Sequence, residues 1–206
     1  GQKDYIPENY DGKFRGPMKL RDALAQSINI PAVKLFYLAG TTDALRVAEN
    51  MGISTLGDPG RYGLTLVIGG GEVSLLDMTS AYGVFANNGI RNPYTGVLKI
   101  ENVNGEVLEE FRPEPREILP KNTALLLSDI LSDNNARTPT FGANSPLYIP
   151  GRAVAAKTGT TNNNKDAWTL GYTPSIAVGV WAGNNDNTPM KKGGAAVAGP
   201  IWNKFM

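Results

Sequence analysis

The chain contains no cysteine and no histidine among its 206 residues. These absences exclude a Ser-His-Asp triad, a cysteine nucleophile, a zinc site built on Cys or His, and a redox dithiol. A general base in this chain must therefore be a Lys, Asp, Glu or Tyr side chain. The redox compartment is not readable from the sequence, because it offers neither disulfides nor free thiols as evidence.

An excess of charge of one sign and long apolar runs are also missing. Twenty basic and nineteen acidic residues leave a formal net charge of +1, which gives no electrostatic basis for binding nucleic acid or an anionic membrane surface. The 41% hydrophobic and 19% charged residues, with 24 Gly and 14 Pro, are typical of a globular protein rich in loops. The chain opens Gly1-Gln2-Lys3-Asp4 without a start Met or a signal peptide, so we expect a processed product or part of a longer protein.

Residues 1–150 are predicted to be mainly helical. Helix start and stop signals occur at Pro17, at Pro31 and Gly40, at Thr42 and Gly52, and at Ser74, Asp77 and Gly89, and a further helix is predicted from Lys121 to Asp133. Ser74 with Asp77 three residues later resembles a capping box. Asn104-Gly105 lies between two strand-like runs and predicts a hairpin over residues 97–112.

Residues 151–206 are predicted to form a sheet. The stretches "RAVAAKTG", "DAWTLGYT" and "SIAVGVWAG" are separated by short turns, so they predict three antiparallel strands. A last helix is predicted to start at Gly199-Pro200. The fold class is therefore α/β in the α+β sense, with one domain over residues 1–206 in which an antiparallel sheet is flanked by helices and joined to a helical subdomain.

The segment "AAKTGTTNNNKDA" combines groups that suit a carboxylate ligand. Lys157 follows a buried strand and supplies a cation, and Thr158 and Thr160 supply hydroxyls. Gly159 has no side chain, so the backbone can approach a ligand closely. The triplet alone is also compatible with a strand that ends in a polar turn with Lys157 in solvent.

A second polar motif, "SIN", lies at the junction of the first two predicted helices. A Ser-x-Asn triplet occurs by chance in about half of chains of this size, and Ser27 or Asn29 could equally cap the helix that contains Pro31. The two motifs together are more informative than either alone. Ser27 and Asn29 on a loop, and Lys157 to Thr160 on a strand, are expected to form two walls of one cleft between the helices and the sheet.

These motifs and their flanks resemble the transpeptidase domain of class A penicillin-binding proteins over essentially the whole chain. That family carries S-x-x-K, S-x-N and K-T-G in this order, and "SIN" and "KTGTT" match the second and third. The stretches "IPENYDGKFRGPMKLRDALAQSINIPAVKL", "AYGVFANNGIRNPY" and "KTGTTNNNKDAWTLGYTPSIAVGVWAGNND" resemble the surroundings of these motifs in the family.

The S-x-x-K motif is missing, because no Ser of this chain is followed three residues later by Lys. In the family this motif lies upstream of the "IPENYDG" region. We therefore expect the chain to lack the first strands of a β-lactamase-like or transpeptidase-like sheet and the helix that carries the nucleophile. A truncated sheet exposes an unpaired edge, so the chain alone is expected to be inactive, and unstable or associating.

The resemblance implies a role for each motif residue. Lys157 would stabilise the terminal carboxylate of the substrate and deprotonated hydroxyls nearby, and Ser27 would relay a proton towards the leaving amine. Asn29 would hold the amide of the substrate. The hydroxyls of Thr158 and Thr160 would donate to the substrate carboxylate. The Thr160 N–H would form part of the oxyanion site. Gly159 would let the substrate approach the backbone closely.

The resemblance also implies a reaction and a location. The complete enzyme would be a D,D-transpeptidase that crosslinks peptidoglycan stem peptides ending in D-Ala-D-Ala through a serine acyl-enzyme, binds β-lactams, and needs no cofactor or metal. Its partner would be the missing N-terminal part of the same domain, in a membrane-anchored protein with a glycosyltransferase domain at the extracytoplasmic face of the bacterial plasma membrane. Two alternatives stay open: a D,D-carboxypeptidase or β-lactamase-like hydrolase, and a non-catalytic scaffold module.

Overall fold

The computed structural model describes residues 5–206, so the expectations about the opening Gly1-Gln2-Lys3-Asp4 lie outside the described residues. The helices are α1 (Leu20–Ala25), α2 (Asn29–Ala39), α3 (Thr41–Asn50), α4 (Leu75–Ala86), α5 (Lys121–Ser132), α6 (Asn134–Phe141) and α7 (Gly194–Phe205). The strands are β1 (Ile90–Arg91), β2 (Lys99–Glu101), β3 (Val107–Glu110), β4 (Arg116–Glu117), β5 (Ala155–Thr160), β6 (Asp166–Thr173) and β7 (Ile176–Gly183).

The central layer is the three-stranded antiparallel sheet β5-β6-β7, which confirms the strand prediction for the last quarter of the chain. Helix α7 covers one face, where the fully buried Trp202 packs with Ala156. Helices α4 and α5 cover the other face, where Ala155 and Tyr172 pack with Leu131. The fold is therefore a sheet between two helical layers, which confirms the predicted antiparallel sheet flanked by helices.

Strand β7 is paired on one side only in the part of the chain that the structure describes. Its sequence, "IAVGVWAG", contains no charged residue and no proline. Strands that end a sheet usually carry such residues, because an unprotected edge pairs with other chains. The composition of β7 is therefore typical of an internal strand, although its outer edge has no partner strand within residues 5–206.

Asp77 anchors the start of α4 and corrects the capping-box prediction. The Ser74 hydroxyl accepts a hydrogen bond from the Asp77 N–H at 3.0 Å, as a capping box requires. The buried Asp77 carboxylate does not return to the Ser74 backbone, because it accepts bonds from the Ser54 N–H at 3.0 Å and the Ser54 hydroxyl at 2.7 Å. The Tyr94 hydroxyl adds a third bond. The hydrogen bonds from Ser54, above all, hold the pKa of Asp77 below its ordinary value.

The prediction that the last helix starts at Gly199-Pro200 is wrong, because α7 begins at Gly194 and Pro200 lies inside it. The Gly194 N–H donates to Thr160 Oγ1 at 2.9 Å. A Cβ at Gly194 would lie 2.2 Å from the Gly159 carbonyl oxygen. The helix thus begins where its backbone touches β5, and only glycine fits there.

Two features were not predicted. Helix α6 begins after Asp133, whose Oδ1 accepts the Ala136 N–H at 2.9 Å. This cap signal is visible in the sequence, but Pro139 inside the helix conceals the pattern. The second feature is the short β1-β4 pair, with two residues in each strand.

The exposed β2-β3 hairpin lies within the predicted range of residues 97–112. Among residues 5–206, no helix has the length and hydropathy of a membrane span.

Candidate active site

The structure brings Ser27 and Lys157 into direct contact, although they are 130 residues apart in the chain. The Lys157 ammonium donates to Ser27 Oγ at 2.6 Å and to the Thr158 carbonyl oxygen at 2.8 Å. Burial lowers the pKa of Lys157 to about 8, because the charged form loses its hydration and no carboxylate within residues 5–206 offsets that loss. A lysine of this kind can exchange a proton near neutral pH.

Ser27 holds an unusual backbone conformation at the end of α1. Its φ is +60°, in the left-handed region that favours glycine. The Ser27 N–H donates to the Leu24 carbonyl at 3.1 Å, and the Ile28 N–H donates to the Ala23 carbonyl at 2.9 Å. These two bonds form a Schellman motif, which normally has glycine where Ser27 stands. The left-handed conformation costs roughly 1 kcal/mol for a residue with a side chain.

The four residues of the K-T-G segment are divided between the two faces of β5. Side chains alternate along a strand, so Lys157 shares the face of Ala155, towards α4 and α5. Thr158 and Thr160 share the opposite face, towards α7. There, Thr160 Oγ1 already accepts the Gly194 N–H and keeps its own proton for donation. The threonine hydroxyls are therefore not on the face of Lys157, and a ligand meets both faces only along the edge of β5.

The N–H of Thr160 points away from β6. Antiparallel strands use alternate residues for their mutual hydrogen bonds, and the Thr161 N–H is bonded to the Asp166 carbonyl at 3.2 Å. The intervening Thr160 N–H is consequently directed to the free edge of β5. Gly159 lies opposite Trp168, and a Cβ at Gly159 would come within 3.3 Å of the Trp168 Cβ, so glycine is favoured here by the sheet itself.

The turn after Thr160 explains the run of asparagines. Asn163 and Asn164 have φ values of +61° and +55°, and asparagine tolerates this left-handed region better than most residues. Asp166 braces the turn by accepting bonds from Thr161 Oγ1 at 2.8 Å and from Trp181 Nε1 at 2.9 Å. The polarity of this segment is therefore partly structural.

Asn29 lies at the first position of α2 and contacts the opening segment of the chain rather than Lys157. Its Nδ2 donates to the Glu8 carbonyl at 3.0 Å. The Ile30 N–H donates to Asn9 Oδ1 at 3.1 Å. Sequence reasoning missed this part of the site. No local signal marks it, because both bonds span 21 residues and the burial of Asn9 follows from the tertiary fold.

A comparison with protein families decides the assignment. The profile of the penicillin binding protein transpeptidase domain matches residues 2–206. The chain belongs to this family. Penicillin-binding protein 1A of Aquifex aeolicus is 39% identical over 206 residues, and the match covers 99% of this chain and 27% of that protein. Penicillin-binding protein 1A of Clostridium acetobutylicum is 32% identical over 205 residues, with 98% and 25% covered.

Solved structures of penicillin-binding proteins share the fold. Penicillin-binding protein 1A from Haemophilus influenzae superposes with a TM-score of 0.86 at 24% identity, over 100% of this chain and 36% of that one. The PonA1 protein from Mycobacterium tuberculosis in complex with penicillin V superposes with a TM-score of 0.78 at 28% identity, over 95% of this chain and 57% of that one. The chain spans about a quarter of the length of these two curated relatives.

Proposed function

We propose that this chain forms two walls of the active-site cleft of a D,D-transpeptidase that crosslinks peptidoglycan stem peptides, and that the serine nucleophile lies on an S-x-x-K segment outside the chain. The observation that carries the proposal is the 2.6 Å contact between Lys157 Nζ and Ser27 Oγ. A buried lysine with a lowered pKa against a strained serine is costly for stability, and such arrangements cluster at functional sites.

The direction of that hydrogen bond supports a proton path to the leaving group. In the first step the external serine passes its proton to the lysine of the S-x-x-K segment, its oxygen bonds to the carbonyl carbon of the penultimate D-Ala, and the C–N bond to the terminal D-Ala breaks. Lys157 donates to Ser27 Oγ, so the Ser27 O–H remains free to donate to the departing nitrogen. Proton transfer from Ser27 to that amine, with replacement from Lys157, releases D-Ala and leaves the acyl-enzyme.

The edge of β5 suits the rest of the substrate. The Thr160 N–H is directed there, and a backbone donor to a tetrahedral oxyanion contributes about 3 kcal/mol in other acyl transferases. The Thr160 hydroxyl retains a proton for the terminal carboxylate, with Thr158 beside it. Asn29 Oδ1 would accept the amide N–H of the bound stem peptide. An amine from a second stem then attacks the ester carbonyl, its proton returns through Ser27 to Lys157, and the serine oxygen leaves with the proton held by the S-x-x-K lysine.

The likeness to penicillin-binding protein 1A supports the wider setting. We infer a membrane-anchored parent protein with a glycosyltransferase domain, which works at the extracytoplasmic face of the plasma membrane and is inhibited by β-lactams. The structural likeness to PonA1 in complex with penicillin V favours the last point. A carboxypeptidase or β-lactamase-like hydrolase would use the same residues with water as the acceptor, and a scaffold module would not react at all.

The test is the intact mass of the protein after incubation with penicillin V, for this chain alone and for the longer protein of which we propose it is a part. We expect no adduct on the chain alone and one adduct on the serine of an S-x-x-K segment in the longer protein. An adduct on a serine of this chain, or none on the longer protein, would overturn the proposal. Transfer of a D-Ala-D-Ala pentapeptide to glycine, compared with its hydrolysis, separates a transpeptidase from the hydrolases.

A further inference from the structure

A compact loop of the opening segment, residues 8–13, contacts the helical wall of the cleft and the turn that follows the sheet wall. We call it the Asn9 loop. We propose that Asn9 is a positioning residue that holds the Ser27–Asn29 wall in place for acylation. This inference rests on the proposed function, since acylation is the reaction that it concerns.

Helix α2 needs help at its start. The residue before it, Ile28, has no side chain that can cap the helix, and Pro31 has no N–H. The Ile30 N–H is therefore a first-turn donor without a local acceptor. Asn9 Oδ1 accepts it at 3.1 Å from 21 residues away. Asn9 thus performs the role of an N-cap from another part of the chain.

The same loop orients the side chain of Asn29. The neighbouring Glu8 carbonyl accepts Asn29 Nδ2 at 3.0 Å. This contact fixes the amide plane and leaves Asn29 Oδ1 without a partner within residues 5–206, ready to accept a substrate N–H. The Asn9 loop therefore sets both the backbone and the side chain of Asn29.

The Asn9 loop is held by its own hydrogen bonds, so it can fix the position of the start of α2. Asn9 is only 8% exposed, although most of its neighbours are exposed. Its Nδ2 donates to the Lys13 carbonyl at 2.7 Å, and its own carbonyl accepts the Gly12 N–H at 2.9 Å. The carboxylate of Asp11 accepts the Lys13 N–H and pairs with Arg15 at 2.6 Å. Three hydrogen bonds within the loop and one ion pair to Arg15 just beyond it thus hold the six-residue turn.

The loop also touches the turn that follows the second wall. The Tyr10 hydroxyl donates to Asn164 Oδ1 at 3.5 Å, a weak bond to the turn that directly follows the K-T-G strand. The loop therefore contacts the chain on both sides of the Ser27–Lys157 pair. Loss of the Asn9 bond would let the start of α2 move relative to Lys157, and displacements of about 1 Å can cost on the order of 100-fold in rate.

The test compares second-order rates of acylation by penicillin V in the full-length protein. We expect Asn9→Ala to lower the rate about 30-fold, and Asn9→Asp to stay within about threefold of wild type, because the carboxylate keeps the acceptor for Ile30 and is favourable at a helix start. In Asn9→Asp the oxygen that replaces Nδ2 repels the Lys13 carbonyl oxygen, so a water must enter between them at the exposed Lys13, and the expected loss of up to about threefold reflects this disturbance of the loop. The control is Asn203→Ala, which removes bonds of 2.9 and 3.1 Å to the Pro146 and Tyr148 carbonyls, away from both walls.

Melting temperatures of all variants are measured in parallel, and Asn9→Leu replaces Asn9→Ala if the alanine variant does not fold. Three results together support the positioning role: Asn9→Ala is acylated slowly, Asn9→Asp is acylated at close to the wild-type rate, and Asn203→Ala is acylated at the wild-type rate. The inference fails if Asn9→Ala reacts as fast as wild type, if Asn9→Asp is equally slow, or if Asn203→Ala is equally impaired. A wild-type protein that does not react overturns the proposed function itself, which distinguishes the two failures.

Discussion

The two walls of the cleft obtain their geometry by different means. The sheet wall, Lys157 to Thr160, is regular strand whose register is set by β6. The helical wall, Ser27 to Asn29, is a helix end in which Ser27 adopts a left-handed conformation and α2 is capped from a distant loop. The backbone hydrogen bonds between β5 and β6 fix the position of every residue in the sheet wall. The helical wall depends instead on a few specific hydrogen bonds. The walls should therefore respond differently to the same kind of substitution.

The largest effect is expected where the walls touch. Lys157→Met keeps the apolar length of the side chain but removes the donor to Ser27, so we expect acylation by penicillin V in the full-length protein to fall about 1,000-fold. Stopped-flow fluorescence with a labelled penicillin measures it. Lys34→Met, at an exposed position of α2, is the matched control and should react at the wild-type rate. Equal rates for both variants would refute the role of Lys157.

The second effect concerns pH. The pKa of Lys157 is about 8 in the folded chain, below its ordinary value of 10.5. Between these values the unfolded chain binds more protons than the folded one, so the free energy of unfolding rises with pH. The full shift corresponds to about 3 kcal/mol, at about 1.4 kcal/mol per pKa unit. The gain should be smaller, about 2 kcal/mol, because the Lys157 residue as a whole is half-buried and solvent screens part of the effect.

Urea denaturation of the wild type and of Lys157→Met at pH 7.5 and pH 10.5 checks this pH effect, since other titrating groups affect both proteins equally. The wild type should gain stability relative to the variant as the pH rises. A constant difference between the two proteins would show that the lysine is not desolvated in the folded state.

A smaller effect tests the contrast between the walls directly. At Ser27, the glycine variant should be more stable than the alanine variant by about 1 kcal/mol, because both lose the hydroxyl and only alanine is strained at a φ of +60°. At Thr158, in regular strand, the order should reverse by about the same amount. Chemical denaturation of the four variants gives both differences. The same order at both sites would mean that the walls do not differ in backbone strain.

The smallest effect is expected far from the cleft. The β2-β3 hairpin is exposed on both strands. Replacement of residues 97–112 by a short Gly-Ser linker should change the free energy of unfolding by less than about 0.5 kcal/mol, since surface changes away from buried contacts are usually of this size. The acylation rate of the full-length protein should be unchanged. A loss of reactivity would instead connect the hairpin to the substrate.

The sequence predicted the sheet wall better than the helical wall for physical reasons. The strand pattern around Lys157 is local, and a two-residue period is visible without knowledge of the fold. The start of α7 was wrongly predicted at Gly199-Pro200. Its true start at Gly194 depends on a contact with Gly159 of β5 that no local sequence pattern marks. The bonds of Asn9 to the start of α2 were missed because they join segments 21 residues apart. The roles of Ser27, Asn29 and the K-T-G residues in catalysis stay predictions.

The uncovered edge of β7 has a thermodynamic consequence. An extended segment that pairs with this edge binds the folded chain and not the unfolded one, so folding and pairing are linked equilibria. Two copies joined edge to edge would extend the sheet, and the melting temperature would then rise with protein concentration. A peptide that completes the sheet would compete with that self-association. The melting temperature at a fixed, low protein concentration, titrated with such a peptide, therefore reports the dissociation constant of the peptide.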